Sequence, residues 1–382
     1  MGHIGRVLVT LVTLVACVAC GTTTLAGARP TPSQSPSPSA IARPTSSPTP
    51  TATPAPDYGP PPPGVDLFYV QWPATPTWLI GFDWSGRPRA TVHLKELDGQ
   101  AETIGSGILA APNGTGFASG AYTFDRLGHV IYQGAPPNKG NLLSTWSEDG
   151  QLLCGVQEQV SAMDSQGNGT TDYYLVRRSP SGPPVQVRKF LHLNFVPGDS
   201  GYGLAACSHW LDRALLTKTV CCSVQGALVL RLSDGAQVGT WTRGVGVGLP
   251  VFSPDGQEVA EPALGAYGTT SSTTVRLILG GTVLARYGPG IDFLGFSGDN
   301  RFAVVAAGPQ LQLVEVSTRR VVWRDSTAPK VARVIARPFS GDVVLAFGGN
   351  GGADTIEIVH PDGTSSALDG TWLVPMSWGS SP

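Results

Sequence analysis

From residue 64 to residue 382 the hydrophobic positions fall in short runs, broken by Gly, Asp and Pro. After Phe296 the chain reads RFAVVAAG, LQLVEVST and RVVWRD; after Phe252 it reads EVAEPAL, TVRLILGG and TVLARYG. Alternating or β-branched runs bounded by turn residues are the signature of strands joined by hairpins. Long stretches with helical periodicity are absent. The pattern predicts an all-β domain.

The hairpins repeat. Pro250-Val-Phe-Ser-Pro-Asp-Gly-Gln-Glu-Val-Ala260 encodes a strand, a tight turn and a strand. In the turn, Ser and Asp side chains bond nearby backbone and Gly supplies a positive φ. Trp146-Ser-Glu-Asp-Gly-Gln-Leu-Leu153 and Phe296-Ser-Gly-Asp-Asn-Arg-Phe-Ala303 are further copies. Phe339-Ser-Gly-Asp-Val-Val-Leu-Ala346 reads as a shortened one, Ala111–Phe117 as a weaker one and Cys207–Leu215 as a degenerate one. Two more strands follow each copy, at a spacing of about 40 residues, the size of a four-stranded propeller blade. The ends complement each other. DLFYVQW, TWLIGFDWSG and PRATVHL, after residue 64, are three strands lacking a first, and TWLVPMSW, residues 371–378, is a first strand lacking a blade. Joined, they close a ring with no open sheet edge. The expected fold is a seven-bladed β-propeller, its blades beginning near Leu373, Ile108, Leu142, Gly203, Leu249, Phe293 and Val334.

At these turns, most closely in FSPDGQEVA, the chain resembles the WD40-like propellers that include the TolB-type proteins. The Trp-Asp and Gly-His signatures of strict WD40 repeats are missing. The resemblance implies a rigid disc that binds proteins or ligands on its faces, and no single chemistry.

The N-terminal segment has a different character. MGHIGR is followed by the uncharged run VLVTLVTLVA, residues 7–16, which is too short to span a bilayer as a helix and reads as a secretory signal. Leu14-Val15-Ala16-Cys17 resembles the bacterial lipobox, which implies cleavage before Cys17 and lipidation of its thiol; Cys20, followed by Gly21, is the alternative. Acyl chains hold a protein to a membrane by about 0.8 kcal/mol per buried CH₂. Between residues 28 and 63, thirteen of 36 positions are proline and most others are Ser, Thr or Ala. Such a segment has too little apolar surface to offset its ordering entropy, and extends as a stalk on the order of 100 Å long. The expected organisation is therefore a signal peptide over 1–16, a lipidated N-terminus and stalk over 17–63, and a propeller over 64–382. The protein is expected at the cell membrane, lipid-anchored and facing the extracytoplasmic side.

The net charge of −2 gives no electrostatic case for nucleic acid. The expected partner beyond the membrane is an envelope protein or a small ligand. The domain histidines His93, His129, His192, His209 and His360 lack metal-ligand spacing. Gly295-Phe-Ser-Gly-Asp299 only approaches a nucleophile elbow, so Ser297 is read as a turn residue. No phosphate loop with lysine occurs. The function expected is a non-catalytic binding scaffold, with a channel-site hydrolase or lyase, or a carbohydrate-binding or sensor lipoprotein, as the alternatives.

Three features remain. Asp164, Gln166, Asn168, Thr170 and Asp172 alternate as in the start of a calcium loop with Gly169 at its sixth position, but Leu175 stands where a bidentate Glu is needed. Ca²⁺ is the one cofactor this pattern raises; a polar hairpin tip uses the same residues. The surrounding insertion, residues 157–172, is the candidate contact loop. Among the domain cysteines, Cys207 should face Ala214 across its hairpin, which disfavours a bridge to Cys221 and leaves Cys154, in the adjacent blade, as the alternative. The preferred reading treats Cys154, Cys207, Cys221 and Cys222 as small buried hydrophobes. The domain tryptophans are read as wedge-fillers between blades, with a glycan-stacking or protein-anchoring patch as the minority alternative.

Overall fold

The computed structural model describes residues 54–368, apart from 73–74, 100–107, 113, 121, 135–140, 161–168, 196–199, 221–222, 266–268, 327–332 and 348–354. Signal, lipobox and most of the predicted stalk lie outside these residues, as does the predicted closing strand 371–378.

The described chain forms seven antiparallel meanders. Blade 1 contributes β1 (Leu67–Trp72), β2 (Thr75–Asp83) and β3 (Pro88–His93), with a short 3₁₀ turn at Lys95–Leu97. Blade 2 holds β4 (Leu109–Ala110), β5 (Gly116–Ser119), β6 (Tyr122–Asp125) and β7 (Val130–Gln133). Blade 3 holds β8 (Asn141–Trp146), β9 (Leu153–Val160), β10 (Gly169–Arg178) and β11 (Val185–Phe195). Blade 4 runs through β12 (Ser200–Ser208), β13 (Arg213–Val220), β14 (Ser223–Arg231) and β15 (Gln237–Thr242). In blade 5 the strands are β16 (Val251–Phe252), β17 (Glu258–Leu264), β18 (Thr270–Leu277) and β19 (Val283–Tyr287). Blade 6 comprises β20 (Ile291–Phe296), β21 (Phe302–Ala307), β22 (Gln310–Glu315) and β23 (Val321–Asp325), and blade 7 comprises β24 (Arg333–Ala336), β25 (Val343–Phe347), β26 (Thr355–Val359) and β27 (Ser365–Leu368). The fold is the seven-bladed propeller expected from the repeats, and each described first strand begins within three residues of its expected start.

Side-chain pattern follows position in the blade. First strands of neighbouring blades lie side by side, as β16 does with β20 and β20 with β24. Second strands are covered on both faces: β25, VVLAF, is buried at every position. That explains their continuous apolar runs. Fourth strands face water and alternate, as in β27, SSAL. The wedges between blades are apolar. One cluster joins Ile335, Val344, Ile356 and Ile358 of blade 7 to Phe68, Leu79 and Trp84 of blade 1 and to Phe117 and Phe124 of blade 2. Blade 1 is thus packed on both sides. Trp84, Trp146, Trp241 and Trp323 are all buried, as wedge-fillers should be.

Two findings differ from the sequence reading. Part of the segment assigned to the stalk lies along β3: the Thr91 hydroxyl donates to Pro56 O at 2.6 Å and the Thr91 amide to Gly59 O at 2.8 Å. Cys154 and Cys207 form a disulfide rather than separate buried thiols. Cys207 does pair with Ala214 across its hairpin, and β12 also packs on β9. That brings the two Cα atoms to 6.3 Å, within reach of a bridge. Cys221 and Cys222 lie outside the described residues.

Trp146 is fully buried and its indole N–H donates to Leu109 O of blade 2 at 3.2 Å. Trp146→Ala should lower the unfolding free energy by about 3–5 kcal/mol, measured by chemical denaturation. A loss below about 1 kcal/mol would mean that this wedge does not hold the blades together.

Candidate functional site

In blades 3, 5 and 6 the turn between the first and second strands repeats one bonding pattern. In blade 5 the Ser253 amide donates to Glu258 O at 2.9 Å and the Gly256 amide to Ser253 O at 2.9 Å. The Ser253 hydroxyl donates to Asp255 Oδ1 at 2.7 Å and accepts from the Glu258 amide at 2.8 Å. Asp255 Oδ1 also accepts from the Gln257 amide at 3.0 Å. Ser147 with Asp149 in blade 3, and Ser297 with Asp299 in blade 6, repeat this arrangement. The Ser297 hydroxyl is thereby committed to its turn. Burial pushes the Asp149 carboxyl up, but bonds from Ser147, the Gln151 amide and His209 outweigh it and hold the group below its ordinary range.

These turns are also bonded to one another. Glu148, 3% exposed, accepts from the Ser208 hydroxyl at 3.0 Å, the His209 amide at 3.0 Å and the Trp210 amide at 2.6 Å, all from blade 4. His209 Nδ1 lies 2.6 Å from Asp149 Oδ2. Asn300 of blade 6 donates to Asp255 of blade 5 at 2.8 Å. The Asp299 amide donates to Ser340 O of blade 7 at 3.1 Å, beside a parallel bridge between Gly298 and Pro338. A β-carbon on Gly298 would stand 1.9 Å from Arg337 O, so only glycine permits this approach. Arg337 carries the chain of contacts to Asp66, just before β1, at 2.9 Å.

The bonding registers blade 7 differently from the sequence reading. Arg337 donates to Asp342 O, as Ser297 does to Phe302 O. Ala336 pairs with Val343, as Phe296 does with Ala303. Phe339 is therefore not the strand residue that Phe296 is; it occupies the place of Asp299 inside the turn. Its φ is +55° and its side chain is 64% exposed. The sequence reading slid the copy by three residues because a Phe-Ser-Gly-Asp string occurs in both blades.

Together the turns line a pocket of about 250 Å³. Glu148 comes from blade 3, and Ser208, Trp210 and Leu211 from blade 4. Asp255 and Gln257 come from blade 5, Gly298, Asp299 and Asn300 from blade 6, and Phe339 from blade 7. Trp210 is 81% exposed.

The sequence-predicted site residues fall elsewhere. Cys17, Cys20, Asp164, Gln166 and Asn168 lie outside the described residues. Thr170 and Asp172 are in β10, where Asp172 forms an ion pair with Lys189 at 2.6 Å. Among the described residues no group of three His, Cys, Asp or Glu is placed to hold a metal ion. In a meander, the connection between second and third strands leaves the end opposite the first turn, so the strand ends Val160 and Gly169 within insertion 157–172 are at the other end of blade 3 from the pocket. The sequence treated the pocket's turns as scaffold. The signal for them was the two copies that break the Ser-Pro-Asp-Gly pattern with Trp210 and Phe339.

No family model matches the chain, and no curated protein does. Solved structures resemble it in fold. Dihydro-heme d1 dehydrogenase NirN in complex with DHE is 15% identical, with 86% of this chain and 76% of that one covered and a TM-score of 0.46. A putative TolB from Agrobacterium tumefaciens is 17% identical over 64% of this chain and 85% of its own, with a TM-score of 0.37. TolB from Acinetobacter baumannii is 13% identical over 78% and 77%, with a TM-score of 0.38. TolB propellers are thus among the structural neighbours, and the likeness concerns the fold alone.

Glu258, one residue beyond Gln257 of the pocket, has an Oε2 atom buried without a hydrogen-bond partner. Burial, reinforced by repulsion from Asp255, pushes its carboxyl up to about 8. The folded protein then holds a proton that the unfolded chain releases in the ordinary carboxylate range. Stability is lost as pH rises from about 4.5 to about 8, and Glu258→Gln removes that loss. The variant should exceed the native protein by about 2–5 kcal/mol at pH 8 and match it near pH 4, in denaturant melts. An equal pH dependence for both would show that Glu258 is solvated.

Proposed function

We propose that the protein is a membrane-anchored lipoprotein on the extracytoplasmic side, whose propeller is a non-catalytic binding scaffold. Cys17 carries the lipid, the proline-rich segment is the stalk, and the turn face is the contact surface. One observation carries the binding claim. Five blades converge on a single pocket whose hydroxyls are bonded within and between turns, while its most exposed groups are two aromatic rings. Ser208, for example, donates to Glu148 and accepts from the Leu211 amide. Nucleophilic catalysis by such a hydroxyl would need it released to meet a substrate. Rings on a rigid polar frame are instead what binding hot spots use.

The anchor is tested by fractionation. Cys17→Ala should move the protein from the membrane to the soluble fraction and Cys20→Ala should not; the reverse pattern would transfer lipidation to Cys20, and no release in either would refute the anchor. The scaffold is tested by a photo-crosslinking residue at position 210, compared with one at position 264, which is exposed at the opposite end of β17. An envelope protein captured from 210 and not from 264 is the expected result. Equal capture from both, or none, contradicts the turn face.

A further inference from the structure

At the third position of the repeated turn, blades 3, 5 and 6 place Asp149, Asp255 and Asp299, each bonded to the turn's own serine and backbone. Blades 4 and 7 place Trp210 and Phe339 there, since Cys207 pairs with Ala214 and Ala336 with Val343 as Phe296 does with Ala303, and blade 4 adds Leu211 beside it. These residues stand where the other turns have a capping carboxylate. They forfeit the side-chain cap, and they leave rings 81% and 64% exposed. Phe339 also holds a left-handed backbone, which costs a residue with a β-carbon about 1–2 kcal/mol. Strain and apolar exposure retained at one spot point to a ligand that repays both.

The charge of the pocket gives the ligand's sign. Glu148, Asp255 and Asp299 line it, and no basic side chain is among its described lining residues. Both Glu148 oxygens are engaged by blade 4, and Asp255 Oδ2 accepts from Gln257 and Asn300. Asp299 uses Oδ1 in its turn, leaving Oδ2 outside that bonding. Like charges in a concave, partly apolar cleft focus an attractive potential for a cation. Exposed aromatic faces add a cation–π attraction.

Its size gives the ligand's scale. At about 250 Å³ the pocket is smaller than the roughly 300–1,000 Å³ of small-molecule and cofactor sites, and suits one inserted side chain. Resting on the binding-scaffold reading, we propose that the pocket receives a basic side chain, arginine above lysine, presented by a polypeptide partner. A planar guanidinium stacks on aromatic rings while bonding a carboxylate, which an ammonium does less well.

The test is a calorimetric titration of the lipid-free propeller with a pentapeptide of central arginine flanked by glycines. Its citrulline counterpart is the neutral control, and N-acetyl-arginine amide is the small cation. The arginine peptide should bind saturably and more weakly at high salt, and the citrulline peptide should not bind. Trp210→Ala, Phe339→Gly and Asp299→Asn should each weaken binding by roughly threefold to tenfold. Glycine is chosen at 339 because it accepts the left-handed backbone, so Phe339→Gly removes the ring without endangering the fold. Equal binding of the arginine and citrulline peptides, or affinity unchanged in all three variants, overturns the proposal. Binding of the amino acid amide as tight as that of the peptide overturns the polypeptide partner in favour of a small cation. If the peptide fails while position 210 still crosslinks a partner, the basic side chain falls and the scaffold stands; if both fail, both fall.

Discussion

Glu148 carries a buried negative charge in blade 3 and satisfies it entirely with donors from blade 4. A carboxylate so placed is strongly stabilised only while all its donors stay in position, because removing them leaves a charge in a low-dielectric site. It therefore fixes the distance and rotation between two blades more tightly than apolar packing alone, which tolerates small slides. Other turn contacts join blade 5 to blade 6 through Asn300 and Asp255, blade 6 to blade 7 through the Gly298–Pro338 bridge, and blade 7 to blade 1 through Arg337 and Asp66. Blade wedges supply the bulk of the cohesion, and the polar turns set the register. The Cys154–Cys207 disulfide joins the same two blades as Glu148, so that junction is held covalently and electrostatically.

A face built this way is preorganised. The turns bend no further to meet a partner, and little ordering entropy remains to be lost on binding. The same bonding explains how two turns escape the pattern. Blade 4 has Trp210 in place of the capping Asp, but its backbone is held from outside by Glu148, so the turn keeps its shape without its own cap. Blade 7 is held by Arg337 to Asp342, with His360 on the same carboxylate, so this turn too is held without a capping Asp at its third position. Both exposed aromatics thus occur where a neighbouring charge has taken over the turn's own work.

Much of the fold is legible in the sequence because propeller repeats use turn chemistry that reads locally: Ser and Asp to bond the backbone, Gly256 or Asn300 for positive φ, apolar runs on either side. The complementary ends gave the blade count, since three strands without a first and a first without three have one economical solution. The pocket was not legible, for two reasons. Its members lie on five different blades, and no single-sequence spacing expresses their convergence. Its distinctive residues also sit where the repeat is degenerate, so Trp210 was grouped with buried tryptophans and Phe339 was aligned with Phe296. The disulfide was legible only as the alternative to buried thiols, for a related cause: β9 and β12 meet only after the blades pack. The lipobox cysteines, the calcium-loop residues Asp164, Gln166 and Asn168, and the closing strand 371–378 fall outside the described residues and rest on sequence reasoning alone.

The central claim is that the first turns of blades 3 to 7 form one rigid surface, not five separate hairpin tips. Native-state hydrogen exchange under increasing denaturant tests it most directly. The account predicts that the amides of Gly150, Trp210, Gly256, Asn300 and Ser340 exchange together, with opening free energies close to that of global unfolding. Independent exchange, each amide opening at low free energy while the second strands stay protected, would contradict it.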